Sequence, residues 1–327
     1  MSIDRNQISC KKDRRLRLAL LCGGRSSERD VSLKGAEGIK KALDPLRYEV
    51  VVYDPAVDLA RFVQDAPGID AVFILLHGRF GEDGTVQGLL ELLGLAYQGS
   101  GVLGSALAMD KYLSKVIYRQ AGIQTPDWML LEKAGRAVGS EIIKGLGLPL
   151  MIKPAAQGSS VGMSKVMDAG YLEPALDEAF KWDRKVIAEA FIQGREITGA
   201  VLGLDEPQAL PIVEIRPGEG HGFFDYHAKY QKGASCEICP ADLPDDVTEE
   251  AQRLALMAHK ALDLSGYSRT DMIVTEDRGI FVLETNTIPG MTPTSLFPQA
   301  ASAAGISFSE LLDRLIEMAI IAHRDHD

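Results

Sequence analysis

The apolar run Leu16 to Leu21 leads into Gly23-Gly24, then come Leu33, Ala36, Ile39 and Leu43 at helical spacing, and then a second apolar run, Tyr48 to Tyr53. A strand, a helix and a strand in that order predict two parallel strands, because the connecting helix covers one face of the sheet. Ala71 to Leu76 is apolar throughout, as expected of a strand buried on both faces. His77-Gly78 stands at its C-terminal end, where open parallel sheets keep their ligands. The first part of the chain therefore reads as an open, Rossmann-like domain over residues 16–107, behind a polar tail, 1–15.

Helical periodicity resumes around Met109 to Arg119, followed by strand-like Trp128 to Leu131 and Pro149 to Lys153. The loop from Ala155 to Gly162 lies between strand-like Leu150 to Lys153 and Met163 to Val166, so it reads as the tip of a hairpin. A Walker phosphate loop would lead into a helix instead. From Lys185 onward longer strands alternate: Val186 to Ile192, Ile197 to Gly203, Leu210 to Arg216, Arg269 to Thr275 and Ile280 to Thr285. An antiparallel or mixed sheet is expected, with a helix over Asp245 to Leu264. Gly218 to Gly233 carries glycines and aromatics without a period and reads as a functional loop.

Length and charge bound the function. At 327 residues and 46% hydrophobic content, two or three domains are expected. The net charge of −11 and pI near 5.1 exclude a general positive field for nucleic acid or an anionic membrane. Cys10, Cys22, Cys236 and Cys239 are too few for a secreted disulfide framework, and the CxxC of Cys236 and Cys239 lacks the second ligand pair of a zinc site. A reducing cytoplasm fits them. Lys11 to Cys22 is basic then apolar, but the apolar part is too short for a signal peptide, and no run reaches the roughly 20 apolar residues of a membrane span.

Several residues could carry chemistry. Asp271 and Glu284-Thr285-Asn286 flank the turn at Asp277-Arg278-Gly279, and a hairpin would place these oxygen donors side by side, as magnesium requires. A solvated acidic hairpin is the plain alternative. Lys153 precedes the glycine-serine tip, so its ammonium and the loop N–H groups could cradle phosphate together. Glu189-Ala190-Phe191-Ile192 offers a carboxylate beside an apolar strand, as a ribose acceptor in an adenosine pocket would need, though most such strands are merely core. Glu28 follows Gly23-Gly24 in the first strand-to-helix turn, where a solvated glutamate is the rival reading. A third glycine is missing there, which rejects a dinucleotide fingerprint.

Taken together, these motifs resemble the D-alanine:D-alanine ligase family of the ATP-grasp superfamily, in order from about Leu18 to Leu312. The motifs are Gly23-Gly24 with Ser27-Glu28-Arg29 and Val31-Ser32; His77-Gly78 with Gly81-Glu82-Asp83-Gly84; and Met109-Asp110-Lys111. Lys153-Pro154, Gly158 to Gly162, Asp225-Tyr226, Lys229-Tyr230, Arg269, Asp271, Glu284, Asn286 and Pro289-Gly290-Met291-Thr292 complete the set.

The resemblance implies an α/β chain, α+β in its C-terminal part, with three domains: 16–107, a central ATP-grasp domain 108–188, and a catalytic domain 189–327 with a lid at 218–233. It implies ATP held by Lys111, Lys153, Ser160, Glu189, Phe191, Ile192 and Glu196. Two magnesium ions, with manganese as a substitute, would lie on Asp271, Glu284 and Asn286. Glu28, Ser159, Tyr230, Arg269 and Gly290 would be catalytic, and His77, Lys229, Ser295 and Leu296 would bind D-alanine. The reaction implied is ligation of two D-alanines through a D-alanyl phosphate, for peptidoglycan precursors, in a cytoplasmic enzyme whose assembly could be a homodimer. Ala190 departs from a lysine common in relatives, and Gln157 from an acidic residue. The alternatives are a ligase making D-alanyl-D-lactate or D-alanyl-D-serine, for which phenylalanine in place of Tyr230 marks the lactate users, and a nucleotide-binding subunit without catalysis.

Overall fold

The computed structural model describes residues 14–133, 139–158, 161–218 and 235–326. Three sheets organise them. Strands β1 (Leu16–Leu21), β2 (Tyr48–Tyr53) and β3 (Ala71–Ile74) form a parallel sheet in the order β2-β1-β3, with helix α1 (Arg29–Ala42) making the first crossover. Leu18, Leu20 and Phe73 on one face and Ala19, Leu21 and Ile74 on the other are buried, so both faces are covered, as in the parallel reading. Helices α2 (Leu59–Asp65) and α3 (Thr85–Leu92) complete this unit.

The chain leaves it through α4 (Val102–Met109) and α5 (Lys111–Gln120). The helix expected around Met109 to Arg119 starts at Lys111, directly after Asp110. Its backbone is extended, and its carboxylate caps the new helix by accepting from the N–H groups of Tyr112 and Leu113. Strands β4 (Trp128–Glu132), β5 (Leu150–Pro154), β6 (Ser164–Val166) and β7 (Lys185–Ala190) then form an antiparallel sheet, order β4-β7-β5-β6, backed by α6 (Gly139–Leu146) and α7 (Leu172–Trp182). The glycine-serine loop does join antiparallel β5 and β6.

A six-stranded antiparallel sheet follows: β8 (Arg195–Gly203), β9 (Gln208–Ala209), β10 (Val213–Pro217), β11 (Ser235–Ile238), β12 (Gly266–Val274) and β13 (Ile280–Asn286). Helix α8 (Asp245–Ala261) packs on it, and α9 (Leu296–Ala303) and α10 (Phe308–His326) end the chain.

Two expected domain boundaries fall within secondary-structure elements. The break at 107/108 falls inside α4, and that at 188/189 falls inside β7, because Glu189 and Ala190 are still hydrogen-bonded to β5 and the chain turns away only after them. The C-terminal helix also returns to the first unit. Leu311, Leu312 and Leu315 share one buried core with Leu18, Ile39 and Phe73, and Arg47 reaches Asp313 and Glu317. All but Gly218 of the expected lid lies outside the described residues.

Candidate active site

Asp271 on β12 stands opposite Glu284 on β13, and Arg269 opposite Asn286. Opposed residues and residues two apart share a face of the ladder, so these four side chains project to one side. Thr270 and Thr285 occupy the other side with hydroxyls 3.0 Å apart, and Tyr118 of α5 donates to Thr285 at 2.7 Å. One face is sealed into the protein and the other faces a cleft.

On the cleft face Arg269 grips Asp271 with two parallel bonds of 2.8 Å, and Thr198 of β8 donates to the same carboxylate at 2.8 Å. Burial opposes the Arg269 charge, but Asp271 outweighs it and raises the guanidinium pKa. Lys111 Nζ lies 3.4 Å from Glu284 and donates to the Gln157 carbonyl at 2.7 Å, while the Asn286 side-chain oxygen accepts from the N–H of Ile288. Among the described residues no three His, Cys, Asp or Glu converge to hold a metal unaided. Asp271, Glu284 and Asn286 are nevertheless all hard oxygen donors on one face. That set fits magnesium, which takes its remaining ligands from phosphate and water.

The cleft opens between the four-stranded and six-stranded sheets. Lys111, Lys153, Glu189, Phe191, Ile192 and Glu196 line it together with Asp271 and Glu284. Lys153 shares its face of β5 with Met151, which stands opposite Glu189 of β7. The Lys153 ammonium lies 2.8 Å from one Glu189 oxygen, and Lys115 of α5 lies 3.1 Å from the other. The carboxylate read from the sequence as a ribose acceptor is thus enclosed between two lysines, its side chain 2% exposed.

The loop after β5 reaches the first unit. A Cβ on Gly158 would lie 3.4 Å from a Glu28 carboxylate oxygen and 3.5 Å from the Gly78 Cα, so the loop tip packs directly against the Glu28 turn. Gly78 itself has φ +68°. Glu28, His77 and Glu82 are all buried here. Burial pushes His77 down, opposed by Glu28 and by a hydrogen bond with the Ile288 backbone. Burial, with the nearby Glu28, pushes Glu82 up to about 8. In the turn before α9, Ser295 Oγ accepts from the Thr292 N–H at 3.1 Å, a Cβ on Gly290 would stand 3.1 Å from that oxygen, and Leu296 is buried beside it.

Ser159, Ser160, Lys229 and Tyr230 lie outside the described residues. Sequence reading missed Thr198, Tyr118 and Lys115. None carries a motif, and each becomes visible only when strands from distant parts of the chain are paired.

Residues 117–317 match the family model "D-ala D-ala ligase C-terminus" and residues 55–100 match "D-ala D-ala ligase N-terminus". The chain is 56% identical over 306 residues to a D-alanine–D-alanine ligase of Syntrophobacter fumaroxidans, covering 94% of this chain and 98% of that one. It is 53% identical over 307 residues to one from Desulfotalea psychrophila, covering 94% and 95%. Its fold matches the crystal structure of D-alanine–D-alanine ligase from Bacillus anthracis complexed with ATP at TM-score 0.84 and 37% identity, over 95% of this chain and all of that one.

Proposed function

The chain belongs to the D-alanine–D-alanine ligase family, and we propose that the cleft and the Glu28 pocket divide its reaction between them. The protein is an ATP-dependent ligase that joins two D-alanines through a D-alanyl phosphate, releasing ADP and phosphate and supplying peptidoglycan precursors.

A carboxylate is a poor acyl donor until it is phosphorylated, and it repels the phosphate chain it must attack. The site therefore has to offset negative charge before any bond forms. In our reading Lys111 and Lys153, with Lys229 and the N–H groups around Ser159 and Ser160, hold the phosphates. Phe191, Ile192 and Glu196 hold the adenosine, with the backbone at Glu189 beside them. Magnesium would be held by Asp271, Glu284 and Asn286 and would supply further charge neutralisation. Manganese could take its place.

Glu28 would bind the ammonium of the first D-alanine, with His77 lining that pocket. Ser295 and Leu296 would receive the second D-alanine. Once the acyl phosphate has formed, the second amine attacks its carbonyl, and Arg269 with the Gly290 backbone N–H would stabilise the oxyanion. Such a preorganised donor contributes about 3 to 4 kcal/mol in other enzymes. Tyr230 would favour an amine over lactate.

One observation carries this division: six side chains assigned to ATP and two assigned to the metal line the same cleft. The test is purified protein with ATP, magnesium and a panel of D-alanine, D-serine and D-lactate, scored for phosphate release and for dipeptide or ester. Turnover should require D-alanine and yield mainly D-alanyl-D-alanine. An ester as the main product at neutral pH, or no product from D-alanine, would refute it. We place the enzyme in the cytoplasm as a homodimer, which cell fractionation and sedimentation would check.

A further inference from the structure

Lys115 belongs to none of the roles above, yet its side chain is only 1% exposed. Its ammonium donates to Thr125 Oγ1 at 2.8 Å and to Glu189 Oε1 at 3.1 Å. Lys153 lies 2.8 Å from the second oxygen of the same carboxylate. Two cations therefore share one anion, and the cluster keeps one net positive charge at the floor of the cleft.

The two contacts differ in exposure. Lys115 donates to Glu189 from the buried side at 3.1 Å, whereas Lys153, 2.8 Å from the other oxygen, also lines the cleft. A buried carboxylate facing a single lysine would form a neutral pair. That would use up the charge a phosphate needs.

We propose that Lys115 is a positioning residue for the nucleotide phosphates: from behind Glu189 it neutralises the carboxylate, so that the charge of Lys153 stays available to the ligand. Burial pushes Lys115 down to about 8, and Glu189 works against that fall, so the lysine still carries its proton at neutral pH. The inference rests on reading this cleft as the nucleotide site.

Calorimetric titration of the full chain with ATP and with adenosine tests it. Lys115→Met should weaken ATP about ten- to hundredfold, the scale of one charged hydrogen bond, and leave adenosine unchanged. The double variant Lys115→Met with Glu189→Gln removes one charge of each sign and should recover ATP affinity. A merely structural lysine would weaken ATP and adenosine together and would not be rescued by a second change in the core. Unchanged ATP binding in Lys115→Met, or a double variant that binds adenosine but not ATP, would overturn the proposal. Should Lys115→Met fail to fold, the double variant alone decides, since it leaves no buried carboxylate behind Lys153. Wild-type protein that does not bind ATP would instead refute the reading of the cleft.

Discussion

At Glu284 the cost to folding and the cost to chemistry separate. Its ion pair with Lys111 is 3.4 Å long and the carboxylate is 35% exposed, so that pair contributes at most about 1 kcal/mol to stability. Glu284→Gln should therefore leave the denaturation midpoint nearly unchanged while turnover collapses, if the carboxylate holds metal. Turnover near wild type would move the metal site elsewhere. Lys153→Ala separates the same two costs from the other side of the cleft. Glu189 keeps its aligned bond to Lys115, so the core survives, while the nucleotide loses a charged donor. KM for ATP should rise about tenfold or more, with kcat less affected. An unchanged KM would reassign Lys153 to structure. Lys153, Asn286, Gly158 and Gly290 stand at strand ends or glycine turns, where a sequence shows candidates. Lys115 was not legible, since a lysine inside an amphipathic helix reads as a solvated face until Glu189, 74 positions away, is placed against it.

Among the elements, strands were read more surely than their connections. The period-two alternation over 197–203 and 269–275 reflects a sheet packed on one face by α8, and the structure extends both strands by a few residues at the N-terminal end. The helix expected from about Met109 begins two residues later, at Lys111, because the Asp110 cap sets its start. That cap aims the first turn of α5, which carries Lys111 and, one turn on, Lys115. Asp110→Ala should cost about 1 kcal/mol of stability, measured by urea denaturation, and should also weaken ATP by disturbing both lysines. If stability falls and ATP affinity does not, the start of α5 is set by packing alone.

Over the whole molecule, burial couples distant parts in ways no local pattern encodes. Helix α10 is amphipathic by sequence, but nothing in its period says that it returns to the first sheet and joins a core containing Leu18 and Phe73. His259 shows the same limit. It lies on α8 with 1% exposure, and its Nδ1 is 2.8 Å from Ser268 Oγ of β12, where it ties helix to sheet. Burial, with help from Lys260, pushes its pKa down from 6.5 to about 4. In acid the unfolded chain therefore binds this proton before the folded one does. The stability it represents is complete above pH 6.5 and is lost as the pH falls toward 4, reaching about 3 kcal/mol at 1.36 kcal/mol per unit. Carboxylates also titrate in that window, so wild type alone cannot isolate the effect. The comparison needed is His259→Gln, which keeps a polar partner for Ser268 and cannot gain a proton. Its unfolding free energy should lie below wild type at pH 7.5, and the gap should close as the pH falls from 6.5 to 4.5. A gap of constant size across that range would mean that His259 is already charged in the folded protein, and that the α8–β12 contact does not depend on its neutral form.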